Sequence, residues 1–235
     1  MSCRWHNYST TEELEAAAVH TILQTAQLAI GRRNEFHIVL AGGNTPRRIY
    51  ESLRSADTGW LAWHVYFGDE RCLPADHAGR NSRMAGLAWL DHVGIPATQI
   101  HVIEADRGAE LAARRYAHIV DRVEQFDLVL LGLGEDGHTA SLFPHHDPGN
   151  TPDAPAVLAV HDAPKPPPER VSLSANRLSA ARQVMFLVTG ESKRQAVQGW
   201  HNGMDIPAAA IKPAGGVDIY LEAGLLESAG GTQAG

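Results

Sequence analysis

The chain has 235 residues, with 20 Lys and Arg against 27 Asp and Glu for a formal charge of −7, and 44% of its residues are hydrophobic. A chain of this length and composition can bury roughly 70–75% of the surface its unfolded form exposes, which excludes disorder over most of it. The negative balance, without a long block of Lys or Arg, excludes a general nucleic-acid or membrane-surface binder and leaves any anionic ligand to a local cluster.

Thr10-Thr11-Glu12-Glu13 has the spacing of a capping box, and Leu14, Ala18, Ile22, Ala26 and Ala29 recur after it at helical spacing, which predicts a long first helix. Phe36-His37-Ile38-Val39-Leu40-Ala41 reads as a short apolar strand. It ends in Gly42-Gly43-Asn44-Thr45-Pro46, where Pro46 is placed to open a helix through about Ser52. Trp63–Phe67 is the next strand, residues near 80–92 the next helix, and Ile100–Ile103 a further strand. Leu111, Ile119, Val120 and Val123 mark another helix. Phe126–Leu131 is the most continuous apolar run, as expected of a strand buried on both faces at the centre of a mostly parallel sheet. It ends in Gly132-Leu133-Gly134-Glu135-Asp136-Gly137-His138.

Between about Asn150 and Glu169 the composition shifts to Pro, Asp and Ala, including Lys165-Pro166-Pro167-Pro168. This predicts a long surface connection with room for one short strand at Val157–Val160. It lies next to the 132–144 segment in sequence, from which closure over a ligand is a hypothesis that the sequence does not decide. Strands follow at Val171–Leu173 and Val184–Val188, a helix at Glu191–Trp200, and a last strand at Val217–Leu221. The alternation predicts an α/β fold: an open, mostly parallel sheet with helices on both faces, with ligands beyond the carboxyl ends of its strands. Residues 1–228 are expected to form one domain and 229–235 a disordered tail.

Cys3 and Cys72 lie far apart without a C-x-x-C pair, which suits a reducing compartment and argues against metal ligation by cysteine. The N-terminus has no apolar signal-like core, and no stretch approaches the roughly 18 apolar residues of a membrane span. The expectation is a cytoplasmic protein.

Three strand-end segments carry the polar groups that such a sheet would bring to one cleft. Gly42–Pro46 suits a phosphate, since glycines allow close backbone approach, Thr45 adds a hydroxyl, and a helix N-terminus follows. The same turn also occurs for structural reasons alone. Asp69, Glu70 and Arg71 follow a strand directly, where they either satisfy one another or face a ligand. Gly132–Gly137 formally matches G-x-G-x-x-G, but Glu135 and Asp136 would set carboxylates against a pyrophosphate and Pro144 leaves little more than one helical turn. The dinucleotide reading is therefore set aside. His138 can take a proton from water, with Asp136 or Asp69 orienting it. His145-His146-Asp147 is read as loop rather than metal site, and Cys72 as an inert cysteine rather than a nucleophile. No G-x-S-x-G elbow is present, so any hydrolysis uses water directly. Arg170 and Lys193 complete the list of candidates for a phosphate pocket.

Leu40–Pro46, Gly68–Arg71 with Pro74 and Asn81, Gly132–Pro144 and Gly190–Lys193 together resemble the 6-phosphogluconolactonase family, in order, from about residue 8 to 223. The resemblance implies a Rossmann-like fold shared with glucosamine-6-phosphate isomerase/deaminase. It also implies hydrolysis of 6-phospho-D-glucono-1,5-lactone to 6-phospho-D-gluconate in the oxidative pentose phosphate pathway. The substrate would be a small sugar-phosphate lactone, with no metal, organic cofactor, nucleic acid or membrane involved, in a monomer or small homo-oligomer. By matching motif positions, His138 would be the general base, with Asp136 and Asp69 beside it. Gly42, Gly43, Asn44, Thr45, Arg170 and Lys193 would hold the phosphate, and Arg71 would face the carbonyl or carboxylate end. Two departures stand out: Arg80-Asn81 replaces a common Ser-Asn, and Asn44 replaces a serine in the glycine loop. The deaminase branch carries an acidic residue where this chain has Phe143, which disfavours ring opening of an amino sugar. A non-catalytic sugar-phosphate sensor could dispense with His138 and Asp69; this chain has both.

Overall fold

Six parallel strands form the main sheet in the computed structural model, which describes residues 2–226. Across the sheet they run β1 (Cys3–Tyr8), β9 (Val217–Glu222), β8 (Ala181–Val188), β5 (Phe126–Gly132), β2 (Phe36–Leu40) and β3 (Trp63–Phe67). The apolar run at β5 sits between β8 and β2, with Phe126 through Leu131 all buried. Neighbouring residues of a strand point to opposite faces. Asp127 pairs with Arg33 at the end of α1 (Thr11–Arg33), while the Phe126 ring lies 3.9 Å beneath the guanidinium of Arg177 on α5 (Ala175–Ser179). Helices thus cover both faces.

The first helix forms as its sequence pattern requires. The Thr10 hydroxyl accepts from the Glu13 N–H at 3.2 Å, and Asn34 ends the helix in the left-handed region at φ 61°. Leu14, Ala18, Ile22, Ala26 and Ala29 are its buried stripe, and three alanines let it lie close across β1, β2, β5 and β9.

A second, antiparallel sheet joins β4 (Asp69–Arg71), β7 (Arg170–Leu173) and β6 (Val157–Val160), pairing Asp69 with Ser172 and Arg71 with Arg170. The short strand in the proline-rich connection is present, and Val171–Leu173 is a strand of this small sheet rather than the large one. Ile100–Ile103 is not a strand: Ile100 makes a single bridge to Val65 and the chain leaves the sheet edge. In α4 (Ala109–Val120) the buried face is Ala109, Ala112, Ala113, Tyr116 and Val120; of the expected markers Val120 is buried, Leu111 is 36% exposed and Val123 lies beyond the helix end. The predicted helix near 80–92 is α3 (Asn81–Ala88) followed by a 3-10 turn. The helix at Glu191 begins as a 3-10 turn that leads into α6 (Arg194–His201). The edge strand β1, the three-residue β4 and α5 are additions to the sequence reading.

Among the described residues no helix is long and apolar enough to cross a membrane. The predicted tail at 229–235 and the proposed domain end at 228 lie outside the described residues.

Candidate active site

The carboxyl ends of β2, β3, β5 and β8 open on one cleft of about 520 Å³. Gly42, Gly43, Asn44, Thr45, Asp69, Arg71, His138, Arg170 and Lys193 all line it, and Asp136 stands behind His138.

On one side, α2 (Asn44–Leu53) starts from Gly43 at φ 112°, a conformation that favours glycine, and no side chain caps that end among the described residues. The Thr45 hydroxyl meets that of Thr189 at 2.7 Å, which ties the glycine loop to the turn carrying Lys193. A Cβ on Gly42 would lie 2.1 Å from Asn81 Oδ1, so glycine is required by the close approach of Asn81.

Asn81 in turn holds Asp69. Its Nδ2 donates to Asp69 Oδ1 at 2.9 Å, and the Ser141 hydroxyl donates to Oδ2 at 2.6 Å. Burial pushes the Asp69 carboxyl up; the Ser141 bond opposes it, Glu70 adds to it, and Arg71 and Arg170 draw it back. Because residues i and i+2 share a strand face, Asp69 and Arg71 reach the cleft while Glu70 turns away. Fully buried, Glu70 accepts from the Asn81 and Ser82 N–H groups at 2.7 and 2.9 Å and pairs with Arg80 at 3.3 Å. It caps α3 and is structural. Arg71 donates from Nη1 to the Gly79 carbonyl at 2.5 Å, and its buried Nε has no protein partner among the described residues.

His138 follows a turn closed by the Gly134 N–H on the His138 carbonyl at 2.7 Å, with Gly137 at φ 80°. Its Nδ1 bonds the Asp136 carboxylate. Burial would raise the Asp136 carboxyl, but the hydrogen bond and charge of His138 hold it below its ordinary range. A carboxylate only accepts, so Nδ1 carries a proton, and in the neutral ring Nε2 is the nitrogen with a free lone pair. A Cβ on Gly134 would fall 1.9 Å from His138 Nδ1. Gly134, the second glycine of the G-x-G-x-x-G match, therefore makes room for an imidazole, and the segment continues as turns rather than a helix. Phe143 is buried against His138, with ring centres 4.9 Å apart.

Arg170 reaches the cleft, but its Nε donates to the Pro167 carbonyl and its Nη2 to those of Lys165 and Pro166. Lys193 is held below its usual range by burial first, with Glu135 and Asp136 opposing and Lys165 adding repulsion. The cleft thus gathers Arg71, Arg170, Lys165 and Lys193 against Asp69 and Asp136 in a chain of net charge −7. Sequence reasoning missed Lys165, Ser141 and Thr189. Ser141 lay within a motif already singled out, whereas nothing in a proline-rich loop marks one lysine as facing a cleft.

Cys72 is half-buried with its thiol pushed up to about 11 by burial and then by Glu169, which suits an inert side chain. Among the described residues no three His, Cys, Asp or Glu side chains are grouped to hold a metal ion.

The family described as glucosamine-6-phosphate isomerases/6-phosphogluconolactonase matches residues 9–220. A 6-phosphogluconolactonase of Mycobacterium leprae is 33% identical, the match covering 97% of this chain and 96% of that one. A human 6-phosphogluconolactonase is 35% identical over 88% of this chain and 85% of its own. Among solved structures, 6-phosphogluconolactonase from Trypanosoma cruzi superposes with a TM-score of 0.86 at 26% identity, covering 97% of each chain.

Proposed function

The chain belongs to the glucosamine-6-phosphate isomerase/6-phosphogluconolactonase family, and from that premise we propose that it hydrolyses 6-phospho-D-glucono-1,5-lactone to 6-phospho-D-gluconate, a step of the oxidative pentose phosphate pathway, with His138 as general base. The observation that carries this reading is the pairing of His138 Nδ1 with Asp136, which leaves the other ring nitrogen as a proton acceptor in a cation-rich cleft.

Water attacks the lactone carbonyl as His138 Nε2 takes its proton, and Asp136 stabilises the imidazolium that forms. The carbonyl oxygen becomes an alkoxide, for which the guanidinium of Arg71 supplies compensating charge. Collapse breaks the bond to the ring oxygen, which leaves with a proton from the imidazolium or from water. The phosphate is met by the free N–H groups at the start of α2, by Thr45 and by Lys193. Asp69, held by Asn81 and Ser141, faces the guanidinium groups of Arg71 and Arg170, which favour its carboxylate form. Phe143 supports the lactonase branch over the deaminase branch, because a buried phenyl ring beside the base transfers no proton.

The test is hydrolysis of freshly generated lactone above its spontaneous rate, by wild type and by His138→Ala. Acceleration is expected in wild type and should fall by roughly 10²–10⁴-fold in the folded variant. No acceleration by folded wild type would remove the lactonase reading and favour a sugar-phosphate sensor.

A further inference from the structure

Lys165 sits on the proline-rich connection, where the backbone around it is tied down. Arg170 Nη2 donates to the Lys165 and Pro166 carbonyls at 2.9 and 3.3 Å, and its Nε to the Pro167 carbonyl at 3.2 Å. The Ala163 N–H closes the loop on the Pro168 carbonyl at 3.0 Å. Beneath, Ala163 and Val160 pack with Phe143, whose ring lies 5.5 Å from the Arg170 guanidinium. These bonds order the Lys165 backbone before any ligand arrives, so a contact made by its side chain carries little of the ordering entropy that weakens binding by mobile loops.

Lys165 and Lys193 line the same cleft, and among the described residues neither ammonium makes an ion pair or hydrogen bond. Their mutual repulsion contributes to the lowered basicity of Lys193, after burial and against the pull of Glu135 and Asp136. Two unpaired ammonium groups facing one cavity repel each other until an anion stands between them, and a phosphate dianion answers both. Arg170 is already engaged with the loop through two of its three nitrogens.

We propose that Lys165 is a second ammonium contact for the substrate phosphate, held in place by Arg170 as a positioning residue, and that the pair makes the cleft select phosphorylated over neutral lactones. The inference deepens the lactonase reading for catalysis, but its binding part stands without turnover.

Calorimetric titration of 6-phosphogluconate into wild type, Lys165→Met and Lys165→Arg measures the contact directly. Affinity is expected to weaken about tenfold in the Met variant, the scale of one exposed charge-assisted contact, and to recover in the Arg variant. In kinetics, kcat/KM for the phosphorylated lactone relative to D-glucono-1,5-lactone should fall about tenfold in Lys165→Met, through KM rather than kcat. Arg170→Gln should weaken 6-phosphogluconate binding in wild type and have little further effect in the Lys165→Met background. Unchanged affinity in Lys165→Met, equal losses on both lactones, or additive effects of the two substitutions would overturn the proposal. So would a wild type that binds neither 6-phosphogluconate nor inorganic phosphate. Binding without turnover of either lactone would instead remove the lactonase reading, and the calorimetry would still decide Lys165.

Discussion

As the base of the proposed reaction, His138 has neighbours that leave it one role. Asp136 holds Nδ1, Gly134 leaves the space the ring occupies, and buried Phe143 flanks it. Asp136→Asn keeps an oxygen able to accept from Nδ1 but removes the charge that stabilises the imidazolium. We expect kcat on the phosphorylated lactone to fall roughly 10²-fold with KM little changed. A loss below threefold would show that Asp136 merely shapes the turn. That the two side chains meet was legible in the sequence because they share one short segment. Ser141, five residues beyond Asp136, was not, since its role depends on meeting Asp69 from 72 positions away.

Across β2, β3 and the Ile100 segment the fold stacks three imidazoles with a tyrosine. His37 and His64 lie 4.7 Å apart, His64 and His101 5.9 Å, and Tyr66 and His101 4.5 Å. Burial, then His64 and His37, push His101 down to about 4, and burial followed by His37 lowers His64 against the pull of Glu35. Glu35 and Arg177 are the other charged groups facing this stack: both act on Tyr66, and Glu35 also acts on His64 and pairs with His37. A free imidazole titrates near 6.5, so between pH 6.5 and about 4 the unfolded chain binds more protons than the folded one. The contribution of these groups is complete above pH 6.5 and is lost as pH falls through that window. His101→Phe should therefore flatten the decline of Tm between pH 7 and 4.5. An unchanged slope would place the acid sensitivity elsewhere. This stack was invisible in the sequence, where Ile100–Ile103 read as a strand; one bridge to Val65 suffices to set His101 on Tyr66.

The two sheets meet at β4, and Glu70 fastens that junction by capping α3 and pairing with Arg80, which is 3% exposed. Glu70→Ala leaves a buried guanidinium with one remaining carboxylate, the more exposed Asp106 at 3.4 Å, and frees the N–H groups that position Asn81. A loss of about 3–5 kcal/mol is expected in urea unfolding, with Asp69 loosened through Asn81. A loss under 1 kcal/mol would mean that solvent replaces Glu70.

Strand, glycine turn and helix were readable at β2, β5 and α1 because apolar period, cap chemistry and the need for positive φ are settled by residues close along the chain. So was the short segment that sets His138 on Asp136. The small antiparallel sheet, the opposite fates of Asp69 and Glu70, the stacked histidines and the facing of Lys165 into the cleft were not readable. Each depends on which distant groups come into contact, as Asn81 meets Asp69 and the 165–167 carbonyls meet Arg170. Burial and hydrogen-bond partnership belong to the packed chain as a whole, so the same polar side chain becomes a cap, a clamp or a ligand contact only once its neighbours are in place.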